Sequence, residues 1–123
     1  MNDDATFRPS RPGARRTLDI RQVRYNVTEW GDPAAPTFVY LHGWADTGES
    51  FQFVVDALQG DWHVVAPDWR GFGRSVVECS SYWFSPDQEG AEVVEIAGAA
   101  HMLHFDAPAA LAATLEAFLS KYL

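Results

Sequence analysis

The strongest constraint on the fold is a pair of uninterrupted apolar runs with one amphipathic stretch between them. Thr37-Phe38-Val39-Tyr40-Leu41 and Trp62-His63-Val64-Val65-Ala66-Pro67 lack the apolar–polar alternation of a half-exposed strand. They read as strands covered on both faces of a parallel sheet. Between them, Phe51, Val54, Val55 and Leu58 fall at i, i+3, i+4 and i+7, one face of a helix closed by Gly60. Asp46 and Glu49, three apart, offer a capping box ahead of it. Strand, helix, strand at this spacing predicts a right-handed parallel crossover, and with it an α/β fold built on a small, mostly parallel sheet.

The flanking sequence extends that frame. Leu18 and Ile20, then Val23, Tyr25 and Val27 at alternate positions, predict two N-terminal antiparallel strands turning at Arg21-Gln22. Residues 1–16 carry Pro9, Pro12 and Gly13 without an apolar period and predict a flexible leader, leaving 17–123 as one domain. Val93, Val94 and Ile96 predict a third parallel strand, ending at Gly98-Ala99-Ala100-His101. Asp106 and Pro108 open a final helix with Leu111, Leu115, Phe118, Leu119 and Tyr122 on one side. No element is assigned to residues 76–90.

Charge and cysteine content narrow the function classes. Six of the nine basic residues (Arg8, Arg11, Arg15, Arg16, Arg21 and Arg24) lie in the first 24 positions, and the remainder sets three bases against fourteen acids. A body that acidic repels phosphate backbones, which argues against nucleic acid as a partner. No run of about 18 apolar residues exists to cross a membrane. The single cysteine, Cys79, excludes an intramolecular disulfide framework. Arg15-Arg16 is followed by Thr17-Leu18-Asp19-Ile20-Arg21 where an export signal needs an apolar stretch, so a cytoplasmic location is expected.

An apolar strand ending in His42-Gly43-Trp44, a helix, a second strand and then Asp68-Trp69-Arg70-Gly71-Phe72-Gly73-Arg74-Ser75 resemble the first half of an α/β-hydrolase domain. Gly98-Ala99-Ala100-His101-Met102-Leu103-His104-Phe105-Asp106-Ala107-Pro108 resembles that family's C-terminal histidine loop. Together the resemblance covers about residues 17–84 and 91–123. It implies an oxyanion-hole donor at the backbone N–H of Trp44, where negative charge grows on a substrate oxygen. It also implies a general base at His101, since imidazole moves protons both ways near neutral pH. His42, Gly43 and Asp68 would shape the pocket. The implied reaction class is hydrolysis of a small apolar ester, lactone or epoxide, without a cofactor.

The departures from the family pattern are as informative. None of the serines, Ser10, Ser50, Ser75, Ser80, Ser81, Ser85 and Ser120, sits in the small-x-nucleophile-x-small elbow, and no segment matches the acid-bearing strand. The chain reads as internally shortened, which predicts little or no turnover. The alternatives are a non-catalytic binding or interaction module, and a fragment complemented by a second chain. His101, His104 and His42 do not make a metal site without a carboxylate or cysteine beside them. A Cys79–His101 dyad lacks anything that would lower the thiol pKa, and Ser75 is placed after a strand without an elbow. Gly71-Phe72-Gly73 lacks the third glycine of a dinucleotide loop, since position 76 is Val76. With helices on one sheet face only, the other face would lie uncovered and favour a homo-oligomer.

Overall fold

A computed structural model describes residues 6–43, 46–69, 73–74 and 92–123. Among the described residues, four strands form one mixed sheet in the order β1-β2-β4-β3: β1 (Ala14–Ile20), β2 (Val23–Trp30), β3 (Thr37–Val39) and β4 (His63–Pro67). The first two form the expected hairpin, with Ile20 opposite Val23. Arg21 (φ 47°) and Gln22 (φ 67°) both occupy the left-handed region, the turn whose twist matches that of the strands it joins. The strand starts ahead of the boundary expected for the leader, since Ala14, Arg15 and Arg16 already pair with β2. Residues farther upstream also pack on the domain: the Ser10 hydroxyl and the Arg11 N–H each donate to the Asp56 carboxylate at 3.0 Å.

The crossover forms as the two apolar runs predict. A 3₁₀ turn at Gly48–Phe51 leads into α1 (Gln52–Ala57), and β3 and β4 pair in parallel. Phe51, Val54, Val55 and Leu58 are all buried against Trp30, Val64 and Ala66, a packing term of about 1.5–3 kcal/mol per large side chain. Tyr40 stacks on Phe51 with ring centroids 4.0 Å apart, and Phe38 meets the same ring edge-on at 6.2 Å.

Three details differ from expectation. β3 is covered on one face only: Phe38 turns toward the helices, whereas Val39 and Leu41 are exposed. The capping box does not form, because Asp46 accepts from the Thr47 N–H and the Gly48 N–H goes instead to Asp68. Among the described residues the third parallel strand does not form. Residues 92–96 join no sheet, and Val94 and Ile96 line an apolar cleft of about 480 Å³ with Leu111, Leu115 and Phe118. Among the described residues the small mixed sheet of this α/β fold has the antiparallel N-terminal strands expected, two antiparallel pairings, and one parallel pairing between β3 and β4.

Two helices complete the domain, α2 (Leu103–Asp106) and α3 (Pro108–Leu119), with Pro108 at the first helical position, where its missing N–H costs nothing. Leu111, Ala112 and Leu115 pack on the core, while Tyr122 lies exposed beyond the helix end. The Glu116 carboxylate reaches across to α1 and accepts from the N–H groups of Gln59 (2.6 Å) and Gly60 (3.0 Å) and from the Trp62 indole (3.3 Å). Burial of this carboxylate works against its charge, but these donors and the nearby Arg11 outweigh it, so its pKa lies below the ordinary value. Among the described residues, no helix is long and apolar enough to cross a membrane.

Candidate functional site

The site begins where β3 and β4 end, because both chains leave the sheet there side by side. His42 is buried immediately after β3. Its Nδ1 lies 2.7 Å from the Gly43 carbonyl, and its Nε2 accepts from the Trp69 N–H at 2.8 Å. The Trp69 indole in turn donates to the His42 carbonyl at 2.7 Å. Nε2 and the His42 carbonyl thereby join the two loops, Nδ1 is engaged within its own loop, and neither ring nitrogen is left for proton transfer. Gly43 is exposed, and Trp44, the expected oxyanion donor, lies outside the described residues.

Asp68 organises the second loop. It is 2% exposed, and its carboxylate accepts from the Gly48 N–H (2.8 Å), the Arg74 N–H (2.9 Å) and the Asn26 amide (3.0 Å). One side chain thus ties the end of β4 to the start of the 3₁₀ turn, to β2 and to the turn at Gly73. Gly73 has φ +53°, and a Cβ there would collide with the Asp68 carboxylate. That close approach accounts for the glycine at this point of the turn.

His101 lies exposed on the turn ahead of α2. The imidazole that turns inward is His104, one helical turn on. It is buried, with Nε2 3.1 Å from the Asp46 carboxylate, but outside hydrogen-bond geometry, so the contact is electrostatic. Asp46 also acts on Tyr40. Burial first, and then this carboxylate, push the Tyr40 phenol up to about 12, against a smaller opposing effect of the Ser50 hydroxyl. The Ser50 hydroxyl itself donates to the Thr47 carbonyl at 2.8 Å. From sequence, His104 is weighed only as a metal ligand and Asp46 only as a helix cap, and neither is paired with the other. Helical phase from α3 does not find the imidazole, because the non-helical Ala107 (φ −142°, ψ 56°) separates α2 from α3.

A groove of about 930 Å³ opens beside this cluster, lined by Asp46, Ser50, Phe53, Met102, Phe105 and the leader's Phe7, among others. Phe7, Phe53 and Phe105 form an aromatic row with centroid spacings of 4.7 and 5.0 Å. Among the described residues no three His, Cys, Asp or Glu side chains gather as a metal cage. The segment holding Cys79, Ser75 and Tyr82-Trp83-Phe84 lies outside the described residues.

Similarity to known proteins falls on this same strand–helix–strand region. Residues 36–82 match the model of the α/β hydrolase fold family. Epoxide hydrolase A of Mycobacterium tuberculosis is 39% identical over 61 residues, which is 49% of this chain and 19% of that protein. A 1H-3-hydroxy-4-oxoquinoline 2,4-dioxygenase of Pseudomonas putida is 38% identical over 56 residues, 46% of this chain and 21% of the relative. The crystal structure of epoxide hydrolase A from Mycobacterium thermoresistibile superposes with a TM-score of 0.51 at 30% identity, covering 56% of this chain and 22% of that one. The chain therefore spans about a fifth of the length of the curated relatives it matches. The sheet, the helix between its parallel strands and the matched sequence agree in their likeness: over residues 36–82 the chain is similar to the α/β hydrolase fold family.

Proposed function

We propose that this chain is an α/β-hydrolase-fold protein, internally shortened, with little or no hydrolysis of esters, lactones or epoxides of its own. In this reading the Trp44 backbone N–H and His101 are the retained oxyanion donor and proton carrier, and no attacking atom is assembled beside them. The observation that carries the reading is the environment of the histidine loop. Among the described residues, the imidazole that turns inward faces the Asp46 carboxylate rather than a hydroxyl or thiol, and His101 stands at the surface. A general base without a nucleophile or water held in line contributes little, because proton transfer helps only in step with bond formation. The sequence supports the same conclusion, since no serine lies in an elbow frame.

The test is steady-state turnover of p-nitrophenyl butyrate and of styrene oxide by the purified chain, beside His101→Ala. The expected result is equal, near-background rates for the two proteins. Turnover by the wild type that His101→Ala abolishes would overturn the proposal.

A further inference from the structure

The two edges of the sheet are built differently. β1 presents Arg15, Arg16 and Asp19 along an exposed strand, the charged edge that discourages another strand from pairing. β3 has no such guard. Residues 36–41 carry no charge, and Val39 and Leu41 are 57% and 46% exposed. Backbone direction completes the contrast. The Tyr40 N–H donates to the Val65 carbonyl, and the His63 N–H donates to the Pro36 carbonyl. The even-numbered residues therefore face β4, and the N–H and C=O groups of Thr37, Val39 and Leu41 face outward.

We propose that the β3 edge pairs with β3 of a second copy of this chain, antiparallel about a two-fold axis at Val39. In that register Thr37 lies opposite Leu41 of the other copy, and Val39 opposite itself. All three outward-facing residues are then used, in about six hydrogen bonds. Charge selects this place for self-association. Beyond the basic first 24 residues the chain sets three bases against fourteen acids, so the acidic surfaces of two copies repel, whereas the β3 edge brings uncharged residues together. Pairing also removes an exposed apolar edge from solvent. The contact covers only a few residues per copy, which makes it a reversible dimer rather than an obligate one.

Sedimentation velocity of the full chain, from about 10 to about 500 μM, tests the proposal with two variants. Val39→Pro removes an outward-facing donor without breaking a bond to β4, and Val39→Lys places a charge on the axis. The expected result is a concentration-dependent dimer in the wild type, weakened at least about tenfold in both variants, with unchanged circular dichroism. A wild type that stays monomeric across the range would overturn the proposal. So would a dimer of undiminished affinity in the two folded variants, or an edge occupied by a different protein that excludes the second copy. If one variant fails to fold, the other decides.

Discussion

Replacing Asp68 by asparagine changes one oxygen to an amide and almost nothing in volume, which makes Asp68→Asn a clean test of how the two loops are held. In the native site one carboxylate oxygen accepts from the Gly48 N–H, and the other accepts from both the Asn26 amide and the Arg74 N–H. Asparagine retains one acceptor. Oriented to keep Gly48, it presents its NH₂ to two groups that are themselves donors. Each donor left without an acceptor in a buried setting costs about 1–3 kcal/mol. Arg74 is exposed and recovers part of its loss from water, so the expected cost is about 2–4 kcal/mol. Urea unfolding followed by tryptophan fluorescence reads this as a lower midpoint at unchanged slope, and thermal unfolding as a fall of roughly 6–15 °C. A loss below about 0.5 kcal/mol would refute the argument that Asp68 is the tie between these loops.

Other perturbations test other parts of the structure. Glu116→Gln should destabilise by about 1–2 kcal/mol; because the native pKa is depressed, the gap from wild type is fully present above the ordinary carboxylate value and closes as pH falls through the native one, which urea midpoints across acid pH would show. Val54→Ala, at a position with no exposure, should cost about 2–3 kcal/mol through lost burial and a residual cavity. Tyr40 holds its proton up to about pH 12 against an ordinary 10.0; stability is therefore full below pH 10 and falls as pH rises toward 12, a fall that Tyr40→Phe removes and that ultraviolet titration of tyrosinate follows.

The crossover was legible because its signals are local. Phe51, Val54, Val55 and Leu58 specify a helical face by spacing alone, and the same face that is apolar in sequence is the one buried. The hairpin was legible from alternation, which breaks at Arg21-Gln22, although neither residue type announces the positive φ that both adopt there. Val93, Val94 and Ile96 have strand character too, yet Val94 and Ile96 line a cleft with Leu111, Leu115 and Phe118 instead of pairing along the open β3 edge, a choice between long-range contacts that residue pattern does not encode. At the candidate site, motif resemblance selected His101, whereas packing turned His104 inward toward Asp46. That choice depends on where α2 starts and how it meets α1, contacts between distant parts of the chain that spacing does not encode. Asp68 stood out in sequence only through motif resemblance, and the donors it gathers from Gly48, Asn26 and Arg74 come from three other segments.

The claim that no attacking atom is assembled beside the histidine loop is tested most directly by intact-protein mass spectrometry after exposure to a fluorophosphonate and, separately, to styrene oxide. The account predicts an unmodified mass with both reagents. A stoichiometric adduct with either reagent that disappears in His101→Ala would contradict it.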